Sequence, residues 1–395
     1  MAIAHRSILI DARVNGFPGA HGLARSVLKL VAHMSEPAEG LLLRVLVNPR
    51  QTQLFPLSEL PPFAQVIDTD VTAQAVHRFA ELARVIRSTN PAVLYVPYPT
   101  FTPLIRPCPF VVTVHDCTIE KDVAFAGDWG RQAWTRMITA LVLRHAAAMT
   151  APSVASLEEI SRHYPGAPNP TLVPNGVDVR QFGTVTAADV AAARGRYRLP
   201  ERFILTVGAH RPHKNHEVLL RALAAVPGDV GLVIVGGTDP GFPDRRAGLI
   251  AALGLESRVR LVPDVPDEWL PAVYRAAAVF AFPSLAEGYG LPVLEAMAAG
   301  VPVVMSDIEV LAEVAGSAAV RVPPRDVPGW AAAITEVLSS AALSRRLTSA
   351  GGSVAAAASW EKGAAALGSL LADVACGRLV RPQGQLRHGP RDNIA

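Results

Sequence analysis

The chain has little cysteine, little lysine, few aromatic side chains and no long apolar run. Its three cysteines, Cys108, Cys117 and Cys376, show no CxxC spacing. That excludes a disulfide framework and a cysteine zinc site and makes a reducing, cytoplasmic setting the expectation. No stretch approaches the ~20 uninterrupted apolar residues of a membrane-spanning helix. The apolar run at 8–10 continues into Asp11, so it reads as a strand and not as a signal peptide. A formal net charge of +3 over 395 residues is too small for a nucleic-acid footprint but suits a phosphate-bearing small ligand. Lysine occurs only as Lys29, Lys121, Lys214 and Lys362 among many arginines, so each lysine position carries information. Half of the residues are hydrophobic, enough for a sizeable core.

What is present is rhythm. Short apolar runs at 7–11, 41–47, 64–68, 92–96 and 110–114 alternate with helix-length patterns at 23–33, 74–89, 128–147 and 153–163. After a Pro/Asn/Gly-rich exit near 170–190 the rhythm restarts, with runs at 203–208, 231–237, 258–262, 279–284, 301–307 and 319–323. Strand–helix alternation means a parallel sheet with crossover helices. Two such series predict two Rossmann-like α/β domains facing a cleft. The first is expected over 1–183 and the second over 184–358. A closing helix over 359–375 and a disordered tail over 376–395 follow.

The most informative stretch is AFPSLAEGYGLPVLEAMAAGVPVVMSD, 281–307. Glu287 and Glu295 stand eight positions apart around the turn Gly288, Tyr289, Gly290. Pro292 then suits the first turn of a helix. Glu287 thus falls in a loop after a strand, and Glu295 one turn inside a helix. A helix N-terminus with free N–H groups is an anion site that fits a diphosphate, and Glu295 beside it can accept from a ribose diol. A second motif, VGAHRPHKN at 207–215, follows a strand and precedes a helix. It projects Lys214 into the crevice at the carboxyl end of a sheet, with Gly208 at the turn and Asn215 in support. In VTVHD, 112–116, His115 and Asp116 end a buried strand. His115 can donate to a sugar hydroxyl, while Asp116 either orients it or caps the next segment. The glycine-rich loop ahead of GLARS, with Gly19 and Gly22, lets backbone come close to a ligand; Arg25 is the weaker candidate there.

The 281–307 stretch closely resembles the E-x7-E region of family 4 glycosyltransferases, a retaining group with the GT-B fold, and the likeness runs over roughly 5–375. The resemblance implies that Glu295 holds the nucleotide ribose and Glu287 lies against the donor sugar. It also implies that N–H groups of Gly288, Tyr289, Gly290 and Leu291 touch sugar hydroxyls and phosphate. Lys214 matches the diphosphate-binding lysine and His115 the functional histidine. Many members carry arginine directly after the glycine of 207–208. Here Ala209 stands there, which leaves Arg211 as the substitute cation, with His210 and His213 as alternatives. The closing helix, opened by Trp360, is expected to cross back to the first domain.

These readings imply hexosyl transfer from a UDP- or GDP-sugar to a sugar, a glycosylated small molecule or a lipid, in surface-polysaccharide or secondary-metabolite synthesis. Peripheral attachment to the inner face of a membrane is compatible with them. A metal-free site is expected: Asp68 and Asp70 make an Asp-x-Asp by chance in the acceptor domain, and charge on the leaving group falls to Lys214, Arg211 and the helix N-terminus. Retention is expected through front-face attack, in which the departing phosphate takes the acceptor proton. Double displacement would need a carboxylate below the anomeric carbon, for which Glu287 is the candidate. A GT-B epimerase, a phosphorylase and a catalytically silent nucleotide-sugar-binding protein are the competing readings. A phosphorylase needs a late lysine for pyridoxal phosphate, and Lys362 sits in the closing helix. A silent protein would have lost Glu287, Lys214 or His115.

Overall fold

A computed structural model describes residues 6–13, 21–37, 40–49, 56–72, 79–102, 108–239 and 241–379. The loop with Gly19 and the tail from 380 onward lie outside the described residues. Seven strands, β1 (Arg6–Asp11), β2 (Leu41–Val47), β3 (Gln65–Asp68), β4 (Pro91–Val96), β5 (Phe110–Thr113), β6 (Ala148–Ala151) and β7 (Pro170–Leu172), form one sheet in the order β3-β2-β1-β4-β5-β6-β7. Six more, β8 (Phe203–Val207), β9 (Gly231–Val235), β10 (Val259–Val262), β11 (Val279–Phe282), β12 (Val303–Ser306) and β13 (Ala319–Val322), form a second in the order β10-β9-β8-β11-β12-β13. Every pairing is parallel.

The central strands are buried along their length, as helices on both faces of a parallel sheet require. That is why they read as unbroken apolar runs. Two strands escaped that reading. β6 is the four residues AMTA, too short and polar to stand out; its Thr150 hydroxyl is matched by Thr113 at 2.6 Å. β7 begins at Pro170 inside the proline-rich exit. It lies at the sheet's edge, where a missing N–H is tolerated.

Strand order reverses between β1 and β4 and between β8 and β11. Such switch points open crevices at the carboxyl ends of strands, where open α/β sheets take ligands. The final helix, Trp360–Ala375, joins the core of the first sheet through Trp360, Ala364, Leu367, Leu370, Leu371 and Val374. The chain therefore passes between its two halves twice, and the passages touch: Val177 N–H donates to the Ala358 carbonyl at 2.9 Å.

Candidate functional site

Gly208 follows β8 and Gly236 follows β9, and the two exits press together. A Cβ on Gly236 would sit 2.2 Å from the Gly208 carbonyl oxygen, so the approach requires glycine. A 3-10 turn, Pro212–Lys214, and Asn215 in the left-handed region lead into the helix His216–Leu223. Asn215 serves the scaffold: its Nδ2 donates to the carbonyls of Pro283 at 3.0 Å and Pro324 at 2.7 Å, which ties three strand-end loops together. Lys214 Nζ donates to Glu287 Oε1 at 2.6 Å and stands 5.2 Å from the centre of the Phe282 ring. Arg211 pairs with Asp239 Oδ2 at 2.8 Å. Burial, then the charges of Lys214 and Arg211, pull His213 down to about 2, and burial with Arg246 pulls His216 to about 3. His213 is therefore neutral at neutral pH.

β11 delivers the two glutamates. Leu285 N–H donates to the His213 carbonyl at 2.7 Å, which fixes the glutamate loop to the lysine turn. A Cβ on Gly288 would meet the His115 carbonyl oxygen at 2.1 Å, so this loop touches the first domain through a position that only glycine fits. The Gly288 carbonyl accepts from Ser153 and Ser156 hydroxyls, both at 2.9 Å. Tyr289 donates its hydroxyl to the Asn175 carbonyl at 2.7 Å, so its ring faces the passage between the halves. Gly290, at φ +98°, turns the chain into the helix Leu291–Ala298. Glu295, 5 % exposed, accepts from Tyr274 on Oε2 at 2.7 Å and from Arg25 on Oε1. Arg25 comes from the other domain, on the helix His21–Ala32, and also reaches Asp267 at 2.7 Å. Glu295 first, then Asp267, hold its guanidinium above the ordinary value against the effect of burial.

The first domain brings His115 and Asp116. The His115 Nε2 lies 3.0 Å from the Pro97 carbonyl, so Nε2–H is the donor and Nδ1 stays free to accept. Burial lowers its pKa against the opposing charge of Asp116, which favours the neutral ring. Asp116 accepts from the Thr118 N–H at 2.8 Å and caps the next turn. Gly22 lies in the first turn of its helix, with no protein atom within 4 Å of where a Cβ would be. Asp68 closes β3 at the sheet's edge, away from the switch point. Among the described residues no group of three His, Cys, Asp or Glu side chains could hold a metal ion.

One feature of the second domain was not legible in the sequence. Among the described residues, ten buried side-chain polar atoms have no hydrogen-bond partner, and eight of them belong to this domain's strands and the segments that follow them: on Thr206, His210, Arg211, His213, His216, Arg246, Ser284 and Ser306. Buried polar groups are ordinarily paired. Sequence reading also missed Tyr274 and Asp267, which carry no motif, and Ser153 and Ser156. Ser153 left one signal, its place as the cap of the helix Val154–His163.

Comparison with known proteins decides the family. The model for glycosyl transferases group 1 matches residues 192–353, and that for Glycosyltransferase Family 4 matches 21–181. The chain belongs to this glycosyltransferase family. Its relatives include the O-antigen chain mannosyltransferase B of Escherichia coli, 36 % identical over 170 residues, 42 % of this chain and 45 % of that protein. The D-inositol 3-phosphate glycosyltransferase of Geodermatophilus obscurus is 34 % identical over 271 residues, 64 % of this chain and 59 % of that protein. The matched region thus spans about half the length of these curated relatives. Among solved structures, sucrose-phosphate synthase from Thermosynechococcus elongatus superposes with a TM-score of 0.77 at 24 % identity, over 94 % of this chain and 100 % of that one. Anabaena Alr3699/HepE in complex with UDP and glucose gives 0.73 at 18 %, with the same coverage. The fold of this family 4 glycosyltransferase is GT-B.

Proposed function

We propose that this glycosyltransferase moves a hexosyl group from a nucleoside diphosphate sugar, UDP- or GDP-linked, to an acceptor hydroxyl with retention of configuration. The observation that carries the reading is the run of Lys214, Glu287 and Glu295 across one helix N-terminus, ringed by buried polar groups without protein partners. Glu295 takes the ribose diol. The diphosphate takes Lys214 from Glu287 and Arg211 from Asp239, and draws on the N–H groups of Gly288, Tyr289, Gly290 and Leu291. Glu287, released from Lys214, turns to the sugar hydroxyls, and His115 meets the sugar from the first domain. In front-face attack the acceptor oxygen bonds the anomeric carbon as the bond to the phosphate oxygen breaks. The phosphate keeps the electron pair and takes the acceptor proton. Preorganised cations and N–H groups stabilise that developing charge. The names of the relatives, a mannosyltransferase and D-inositol 3-phosphate glycosyltransferases, and the UDP and glucose in HepE, support a hexosyl donor. The O-antigen chain mannosyltransferase among the relatives favours a surface polysaccharide as the product.

Calorimetry with UDP and GDP tests the assignment. Glu295→Gln should weaken binding by about one to two decades, since a charged hydrogen bond contributes roughly 1.5–3 kcal/mol. Glu287→Gln should leave nucleotide affinity nearly intact while cutting turnover. The reverse pattern would exchange the two roles. Turnover should persist in EDTA; loss restored by Mg²⁺ or Mn²⁺ would overturn the metal-free mechanism.

A further inference from the structure

Once a diphosphate draws Lys214 away, Glu287 needs another counter-ion. Lys214 Nζ lies 2.6 Å from Glu287 Oε1, and the Glu287 side chain is only 11 % exposed. Stranding a largely buried carboxylate is strongly unfavourable. Sugar hydroxyls donate to it but do not neutralise it. The histidines beside the glutamate loop do not supply the charge either, because burial favours the neutral ring of His115 and pulls His213 down to about 2. Asp116, which also meets this loop, is an acid, and Arg211 is assigned to the diphosphate.

A cavity of about 310 Å³ opens beside Glu287, between the helix Val154–His163 of the first domain and the helix Glu309–Ala315 of the second. Its charged walls are Lys121, Glu159 and Arg162 from the first domain and Glu287, Asp307 and Glu309 from the second. Two of the six are cations. Arg162 is 63 % exposed and pairs with Glu309 at 3.5 Å. Lys121, one of only four lysines in the chain, pairs with Glu159 Oε1 at 2.8 Å. The helix sets the spacing. Ser156 donates its hydroxyl to the Gly288 carbonyl at 2.9 Å, so it stands against the glutamate loop. Glu159 follows on the same face about 4.5 Å along the axis, and Arg162 about 9 Å along it. Lys121, held at the level of Glu159, is therefore the nearer cation. Its ammonium has three donors on a flexible four-carbon stem. One donor on Glu159 leaves another for Glu287. The backbone beneath is fixed, since the Lys121 N–H donates to the Cys117 carbonyl at 3.2 Å.

We propose that Lys121 is a positioning residue that bridges Glu159 and Glu287 once the diphosphate has taken Lys214. The inference rests on the donor reading above. It replaces an ion pair inside the second domain by one across the cleft. Lys121 follows His115 in the same segment of the first domain. Donor binding thereby ties the segment of the sugar-facing histidine to the carboxylate that holds the sugar.

Calorimetry of the full chain with UDP and with GDP tests it through a double-mutant cycle. Lys121→Met should weaken binding by about tenfold, the scale of one charged hydrogen bond, because Glu287 then gives up Lys214 with no replacement. In a Glu287→Gln background the same change should have no effect. Lys121→Arg should restore most of the affinity. At pH 6 the Lys121→Met protein should take up more protons on binding than the wild type, measured in two buffers of different ionisation enthalpy, since a stranded carboxylate binds a proton more readily. Lys121→Met also leaves Glu159 without its partner, so the comparison is repeated as Lys121→Met with Glu159→Gln against Glu159→Gln alone, where no acid is stranded on the helix. Affinity unchanged by Lys121→Met, an equal loss in the Glu287→Gln background, or equal proton uptake would overturn the bridge. Lys214→Ala separates the two readings. If it weakens UDP and GDP binding while Lys121→Met does not, the bridge alone fails; if neither does, the donor reading fails and the bridge with it.

Discussion

The two walls of the cleft are finished differently. On the first domain's side, polar groups satisfy one another: Tyr95, Thr113 and Thr150 form a buried hydroxyl chain at 2.7 and 2.6 Å. His115 is held by Pro97, and Asp116 by the Thr118 N–H. On the second domain's side, eight buried polar atoms lack partners, and the cations Lys214 and Arg211 are neutralised by Glu287 and Asp239. Leaving one buried group unpaired costs about 1–3 kcal/mol, so folding alone would not favour such a cluster. The difference is that the first wall closes its own hydrogen bonds around its buried hydroxyls, while the second leaves buried polar atoms without protein partners and holds its cations in ion pairs.

Lys214→Ala should have the largest effect and breaks the second wall directly. Turnover should fall by about 10²-fold or more, the usual cost of removing one preorganised charge stabiliser. The melting temperature should fall as well, since the Glu287 carboxylate is left largely buried without its partner, so turnover is compared at a temperature where both proteins are folded. A folded variant with near-wild-type turnover would remove Lys214 from the chemistry. Gly288→Ala breaks the contact between the walls instead. Its Cβ needs the space 2.1 Å from the His115 carbonyl, so the two domains must part there. A displacement of this size costs on the order of 10²-fold in rate, while nucleotide affinity, measured by calorimetry, should be retained. Wild-type turnover in this variant would show that closure does not use this contact.

Arg25→Gln sharpens the comparison, because Arg25 is a first-domain residue placed on a carboxylate of the second. The guanidinium lies on the carboxylate assigned to the ribose. Its removal should tighten UDP or GDP binding by about tenfold, within the range of one charged hydrogen bond. Weaker binding would make Arg25 part of the nucleotide site. A separate effect is on stability against pH. His213 and His216 have folded-state pKa values of about 2 and about 3, below the unfolded value near 6.5. The unfolded chain therefore binds more protons between these limits. Stability is full above about pH 6.5 and falls as pH drops below it, by at most about 1.4 kcal/mol per unit for each histidine. Thermal melts from pH 8 to 5 should show the decline, and His216→Gln should flatten it. An unchanged melting temperature over that range would mean that these histidines are not held neutral.

Local pattern sufficed for a good part of this molecule. The long buried strands, the helix opening at Pro292 and the eight-residue spacing of Glu287 and Glu295 depend on neighbours in sequence. Burial on both faces writes a continuous apolar run, and a helix start writes its own proline and glycine. The family likeness rested on those same residues. β6 and β7 were hidden because three or four residues of mixed polarity become a strand only when flanking strands supply the hydrogen bonds. The partners across the cleft were hidden for a related reason. Arg25 and Glu295 are 270 positions apart, and Ser153 and Gly288 are 135. No periodicity connects such pairs, because each contact exists only once two separately folded sheets face each other. The same limit applies to the buried groups left without partners. A serine or histidine looks alike in the sequence whether or not it is paired, and only packing decides which of them the fold leaves for a ligand.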